Sequence, residues 1–167
     1  MKKIWMLMKK DLLLCPGWLL LSVALTVAMP VYIISSIALP SILHEPILIL
    51  CAIFAGNIAM SRICYIEDNQ AVKTLLASLP VRKKELVLSR LIVAVAIVII
   101  LVIVAELMGL LIGVTINFAI LCIGIASGIF YETIYLILYY KWGNNVAQYA
   151  FVGFIGVILI IIWIAFQ

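Results

Sequence analysis

The sequence predicts an all-α, polytopic membrane protein, built as a bundle of about five transmembrane helices. Three observations support this class. The 167 residues are 68% hydrophobic and 11% charged, whereas soluble domains are roughly 45–50% apolar and about 25% charged. The apolar residues are gathered into blocks that match the ~20 residues needed to cross a bilayer. The basic residues fall on one side when these blocks are threaded through a membrane.

Five blocks are long and apolar enough to span a membrane. They are Trp18–Leu39, Ile47–Ile66, Leu91–Val114, Phe118–Tyr140 and Val146–Phe166. No soluble-length stretch lies outside them, so residues 1–167 are expected to form one transmembrane domain. The first block is too long for the core of a cleavable signal peptide, and no small-residue cleavage site follows it.

The basic residues predict the orientation, because Lys and Arg collect in cytoplasmic loops. An amino terminus inside the cell places all 11 Lys and Arg residues on the cytoplasmic side and the carboxyl terminus outside. The two outer loops, 40–46 and 115–117, carry no basic residue. The net charge of +4 therefore indicates topology and attraction to anionic lipid. We expect a multi-pass protein of the cell membrane with no nucleic-acid partner.

Residues 1–16 are predicted to form an amphipathic helix on the membrane surface. At helical periodicity the segment separates into a basic arc and an apolar arc. These arcs consist of Lys2, Lys3, Lys9 and Lys10 and of Ile4, Trp5, Met8 and Leu12, respectively. Such a helix suits the headgroup boundary, and Pro16-Gly17 would break it before the first span. The alternative is a charged anchor for the first span.

Residues 67–90 form the only polar stretch long enough to build structure in the cytoplasm. Glu67–Ser78 can continue the helix of the second span. Pro80 disfavours helix at Leu79 and cannot donate a backbone hydrogen bond, so a turn is expected before a second helix begins at Val81. This predicts a helix-turn-helix elbow with a basic rim, suited to a soluble partner. The alternative is a solvated loop that only fixes the topology.

Two acidic residues, Glu106 and Glu132, lie within the third and fourth blocks. A charge near the bilayer centre is costly, so such residues usually face a bundle interior or a cavity. Helix rise places the two at depths that differ by on the order of 10 Å, so they need not pair. They are candidates for lining a pathway, and the alternative is a protonated, internally hydrogen-bonded glutamate. The pairs Gly109/Gly113 and Gly124/Gly128 have the GxxxG spacing that allows close helix packing.

Motifs for catalysis are missing from the sequence. It contains no Gly-Lys-Ser/Thr of a nucleotide-binding loop, no GxSxG and no HExxH. The single histidine, His44, lies in an outer loop, and the four cysteines have no metal-ligand spacing. We expect a chain that is not itself an enzyme and that holds no metal or cofactor.

Three segments resemble one protein family. TLLASLPVRKKELVLSRL at 74–91, YLILYYKWGNNVAQYAFVGF at 135–154 and the opening MKKIWMLMKKDLLL are similar to membrane (permease) subunits of the bacterial type-2 ABC exporter family. That family includes permeases of antimicrobial-peptide and phenol-soluble-modulin exporters. The resemblance covers essentially the whole chain. Permeases of this type usually have six spans, one more than the five blocks.

The resemblance implies a permease subunit of an ATP-driven exporter that moves amphipathic or antimicrobial peptides out of a bacterial cell. It also implies partners: cytoplasmic ABC ATPase subunits, which bind ATP and Mg, and a second permease copy or a paralogue. Roles follow for three groups of residues. They are ATPase docking for Arg82, Lys83, Lys84 and Glu85, coupling-loop geometry for Glu67, Asp68 and Pro80, and pathway lining for Glu106 and Glu132. The alternative function is a small membrane immunity or accessory protein that binds peptides or partners without transport.

Overall fold

All the regular structure that can be described is helical. The computed structural model describes residues 2–36, 40–70, 72, 74 and 83–153. Its principal helices are α1 (Lys2–Leu14), α2 (Pro16–Ser36), α3 (His44–Glu67), α4 (Lys83–Ile112) and α5 (Phe118–Trp142). A short 3-10 turn, Ser41–Leu43, precedes α3, and residues 144–153 are also helical. The predicted all-α class is confirmed.

Four helices, α2 to α5, are long and apolar enough to cross a membrane. The first four predicted blocks lie on them, with ends that differ by a few residues. The largest difference is at α4, which begins at Lys83 rather than Leu91, because the polar residues before Leu91 continue the same helix. The fifth predicted block, Val146–Phe166, is helical as far as residue 153, and its remainder lies outside the described residues.

Helix α3 lies at the centre of the bundle, packed against α2, α4 and α5. Its apolar stretch is 61% buried, compared with 17% for α2. Small residues make this central position possible, because the nearly inaccessible Ala52, Ala55 and Ala59 let neighbouring helices approach closely. The outer faces of α2, α4 and α5 instead expose large apolar side chains, as surfaces that meet lipid do.

Two glycines of α5 lie at close helix contacts. A Cβ added at Gly124 would lie 2.5 Å from Ile49 Cγ2 of α3. One at Gly128 would lie 2.8 Å from Val98 Cγ1 of α4. Both contacts are shorter than a real Cβ tolerates, so the predicted Gly124/Gly128 pair does serve close packing.

The predicted Gly109/Gly113 pair serves two different roles instead. Gly109 packs closely, since a Cβ there would lie 2.8 Å from Leu48 Cδ1. Gly113 has open space around it and a φ of +84°. It follows the last residue of α4, and Val114 N–H donates to Gly109 C=O at 2.9 Å. This is the hydrogen bond of a Schellman helix end, so Gly113 terminates α4 and does not pack against a neighbour.

Helix α2 buries a narrow stripe made of Ser22, Thr26 and Pro30, spaced one turn apart. The hydroxyls are satisfied within the helix: Ser22 Oγ donates to Leu19 C=O and Thr26 Oγ1 to Ser22 C=O, both at 2.8 Å. Pro30 offers no N–H to leave unpaired. The stripe thus gives an otherwise apolar helix one small, satisfied face to turn toward the bundle.

The glycine contacts give a stability prediction. Gly124→Ala should lower the thermal unfolding temperature of the detergent-purified protein, because overpacking of a close contact typically costs about 1–3 kcal/mol. The branched Ile49 side chain has Cγ2, Cδ1 and Cβ at 2.5, 3.0 and 3.5 Å from this point, so turning its end alone would not remove the contact. Gly17→Ala is the matched control, since a Cβ at Gly17 meets nothing within 4 Å. Equal unfolding temperatures for the two variants would contradict the packing role of Gly124.

Candidate functional site

A buried charge cluster joins three helices at one end of the bundle. It consists of Lys10 and Asp11 of α1, Glu67 at the end of α3, and Arg90 in the second turn of α4. Arg90 is 0% exposed, Asp11 1% and Glu67 4%. Two acids and two bases make the cluster neutral as a whole. Charged residues are almost never this buried unless they are paired.

Arg90 has partners on two sides. Its Nη2 forms an ion pair with Glu67 Oε2, and its Nη1 donates to Cys64 Sγ at 3.6 Å. The guanidinium also lies 5.4 Å from the ring centroid of Tyr139 and 6.0 Å from that of Tyr140. Stacking of a desolvated guanidinium on aromatic rings is favourable. The interaction therefore links α4 to α3 on one side and to α5 on the other.

Lys10 attaches α1 to the same acid. Its Nζ donates to Glu67 Oε1 and lies 3.2 Å from Asp11 Oδ1. The two carboxylate oxygens of Glu67 thus bind cations from two different helices, α1 and α4. Glu67 is the residue on which the connection among the three helices depends.

The face that α1 turns to the bundle differs from the sequence expectation. Leu7, Asp11 and Cys15 are buried, one helical turn apart, and α1 packs against α4 and α2. Lys10, expected on the basic arc with Lys9, is turned inward to Glu67. Trp5 remains exposed, on the side away from the bundle. A single acid in a basic and apolar segment, Asp11, was the sequence signal for this buried face.

Aromatic side chains fasten the remaining helices at the same end. Tyr139 Oη donates to Cys64 C=O at 3.4 Å, and Tyr135 Oη donates to Asn144 Oδ1 at 2.8 Å, which joins α5 to the helical residues 144–153. The Arg62 guanidinium lies 4.1 Å from the Trp18 ring centroid and so joins α3 to α2. These links were not predicted, because tyrosines and tryptophans near a membrane interface are expected there for other reasons.

The expected continuation of α3 to Ser78 is wrong at its start. Helix α3 ends at Glu67, and Asp68 and Asn69 form a turn before helix resumes at residue 70. Asp68 N–H still donates to Cys64 C=O at 3.1 Å. Asp and Asn favour turns over helix interiors because their side chains compete for backbone hydrogen bonds, and this pair follows directly on the anchored Glu67. The predicted elbow therefore begins with a break.

The predicted docking residues are only partly described. Lys84 is exposed and Glu85 half-buried in the first turn of α4, where Glu85 interacts within the protein. Arg82 and Pro80 lie outside the described residues, and the side chain of Lys83 does too. Of the three loop-geometry residues, Glu67 belongs to the charge cluster and Asp68 to the turn.

The two acids within the spans are not brought together. Glu132 is 1% exposed, and its Oε1 would lie 3.7 Å from a Cβ at Gly56, in the middle of α3. Glu106 is 6% exposed and lies one turn before Gly109. Gly109 packs on Leu48, which is near the amino-terminal end of α3. Among the described residues neither carboxylate has a hydrogen-bond partner. The same part of the chain contains no group of His, Cys, Asp and Glu able to hold a metal ion.

Removing either partner of the Glu67–Arg90 pair should destabilise the protein. Glu67→Gln and Arg90→Gln each leave a buried charge unpaired, which typically costs ~3–5 kcal/mol. Both variants should unfold at a lower temperature in detergent, and the double variant should lose less than the sum of the two losses. Lys9→Gln, at an exposed site on α1, is the control. Strict additivity of the two losses would show that the ion pair contributes nothing.

Comparison with known proteins identifies the family. A family model described as "ABC-2 family transporter protein" matches residues 6–167, a range that includes helices α2 to α5 and the charge cluster. No curated protein and no solved structure gives a significant match. The matched range covers almost the whole chain and agrees with a multi-pass membrane architecture. The chain therefore belongs to the ABC-2 family of transporter membrane proteins.

Proposed function

We propose that this chain is the permease subunit of an ATP-driven exporter in a bacterial cell membrane. It would work with a second permease copy or a paralogue and with separate cytoplasmic ABC ATPase subunits. Family membership over residues 6–167 and four helices of spanning length support the proposal. On this reading ATP and Mg bind to the ATPase partner, and this chain has no enzymatic activity of its own.

The observation that carries the proposal is the position of the charge cluster at the two ends of the segment 67–90, where the elbow is predicted. Glu67 is the last residue of α3, and Arg90 lies seven residues after the start of α4. Both arms of the segment 67–90 therefore end at one buried ion pair. A force on the elbow would reach the spanning helices through this pair, and packed interfaces respond to such forces by rigid-body movement between discrete arrangements.

Helix α1 would take part in the same movement. Lys10 ties it to Glu67, while exposed Trp5, Leu12 and Lys9 provide the apolar and basic groups of a helix at the headgroup boundary. We assign α1 to the cytoplasmic membrane surface for this reason. The break at Asp68 and Asn69 would let the elbow move while α3 stays fixed.

The elbow would dock in an acidic groove of the ATPase. Exposed Lys84 is the described member of the basic group, and Arg82 and Lys83 precede it directly. Glu85 would add a counter-charge beside these bases, and Pro80 would form the turn that presents them. Electrostatic complementarity of this kind mainly speeds and orients association.

The cargo proposed from the family resemblance is an amphipathic or antimicrobial peptide. Glu106 and Glu132 would line its path and attract cationic groups. Both are enclosed by helices in this conformation, so the path would open only when the bundles tilt outward. The fifth span would continue the helical residues 144–153 across the membrane.

Orientation is tested by cysteine labelling. In a variant free of native cysteines, Ser41→Cys should react with an impermeant maleimide in intact cells, because the loop 40–46 is expected outside. Lys73→Cys should react only after lysis. The opposite pattern at either position would reverse the topology.

Docking is tested by charge reversal at the elbow. The triple variant Arg82→Glu, Lys83→Glu, Lys84→Glu should weaken co-purification of the ATPase, since like charges would then face each other. A triple Gln variant should weaken it less, because exposed ion pairs are worth ~0–1 kcal/mol each. The difference between the two should shrink at high salt. Labelling at Ser41→Cys checks that both variants insert correctly.

A variant at Lys10 distinguishes a coupling defect from a docking defect. Lys10→Gln should leave ATPase association intact but reduce export, because α1 loses its contact with Glu67. Lys9→Gln, at the adjacent exposed lysine, is the matched control and should export normally. If both variants export normally, the charge cluster does not transmit force. If no ATPase co-purifies with the unmodified chain, the transporter proposal gives way to the immunity or accessory role.

The pathway role is tested by Glu132→Gln and Glu106→Gln. Gln keeps the shape of the side chain and its hydrogen-bonding capacity but removes any charge. Export of a cationic peptide should fall in either variant while expression and unfolding temperature hold. Normal export at normal expression would assign both residues to packing.

A further inference from the structure

A groove of about 500 Å³ lies between α4 and α5, at the end of the bundle that carries the charge cluster. Val87 and Leu91 of α4 form one wall, and Thr133, Ile137, Tyr140 and Lys141 are among the α5 residues that form the other. Its volume falls within the ~300–1,000 Å³ of ordinary ligand pockets. The groove lies between two helices that each have the length of a membrane span. Val87, Ile137 and Tyr140 on its walls are exposed, so a bilayer would bring lipid against it.

The groove is apolar along its length and basic at one end. The side chains of Val87, Leu91 and Ile137 are apolar. Tyr140 and Lys141, which carry polar groups, are the lining residues nearest the carboxyl end of α5. Lys141 Nζ lies 4.5 Å from the Trp142 ring centroid, an aromatic contact typical of the membrane interface. Exposed Lys84 is one turn before Val87 and so shares its face of α4. Two lysines from two helices thus flank the same end.

This charge distribution selects among membrane ligands. Among the described residues no acidic side chain lines the groove, and the nearby Glu85 is half-buried and interacts within the protein. A zwitterionic lipid would bring its own cation toward the two lysines, whereas an anionic headgroup would bring none. A free phosphate ion would leave the apolar walls empty. Basic pockets between spanning helices are known sites for anionic headgroups.

We propose that this groove binds one anionic phospholipid, with an acyl chain along Val87, Leu91 and Ile137 and the phosphate between Lys84 and Lys141. The site is joined to the charge cluster through Tyr140. That ring lines the groove, and its centroid lies 6.0 Å from the Arg90 guanidinium. A bound lipid would hold α4 and α5 together next to the ion pair. The proposal depends on the chain being embedded in a membrane and does not depend on transport.

The test is native mass spectrometry of the full chain, purified in detergent and titrated with phosphatidylglycerol or phosphatidylcholine. One phosphatidylglycerol should stay bound per chain under activation that removes phosphatidylcholine. Lys84→Gln and Lys141→Gln should each reduce phosphatidylglycerol binding about fivefold, the usual contribution of one basic residue near anionic lipid. Binding of phosphatidylcholine should not change. Equal retention of the two lipids, or no effect of either lysine, would overturn the proposal.

A second pair of variants locates the lipid in the groove. Ile137→Trp fills it from an exposed position and should remove the retained lipid. Ile134→Trp is the matched control, because Ile134 is also an exposed isoleucine of α5 and does not line the groove. Equal retention in the two variants would overturn the assignment to this groove. The same result is expected if a second copy of the chain, or residues outside the described ranges, cover the groove in place of lipid. No ATPase is present, so the result bears on the lipid site alone.

Discussion

Burying a full charge in an apolar bundle is unfavourable unless an opposite charge is buried with it. Glu67 and Arg90 satisfy this requirement together, and the other contacts at this end of the bundle are arranged around them. Lys10 uses the second oxygen of Glu67, and Tyr139 and Tyr140 cover the guanidinium. The pair therefore holds the end of α3 against α4, and the contact of Lys10 with Glu67 turns one face of α1 inward. Packing by small residues then aligns the rest of the spans.

The helical class and the first four spans could be predicted because they depend only on composition and block length. A run of ~20 apolar residues has few alternatives to a spanning helix. The faces of those helices could not be predicted in the same way. Helix α2 is apolar on nearly all sides, and the small or hydroxyl-bearing Ser22, Thr26 and Pro30, one turn apart, were the available signal for its buried side. Gly113 has perfect spacing for packing, yet it ends a helix.

Some residues of the candidate site could be singled out from the sequence, but their contacts with one another could not. Glu67 and Arg90 stand at the two ends of the polar segment 67–90, and a long sequence separation hides their contact. Lys10 was expected on the basic arc of a membrane-surface helix with Lys9, because the local pattern could not show that an acid from another helix would attract it. Residues such as Tyr139 have an ordinary explanation at a membrane interface, which conceals their contact with a buried cation.

The unequal ends of α3 and α4 have a mechanical consequence. Helix α3 stops at Glu67, whereas α4 continues without interruption from Lys83 to Ile112. If α4 pivots as a rigid rod where Arg90 is held, its short arm of seven residues is ~10 Å long and its long arm of 22 residues is ~33 Å long. A displacement of the short arm would then be magnified roughly threefold at the opposite membrane face by this lever ratio. Small movements at the end that carries the charge cluster would thus become large movements at the far end of α4.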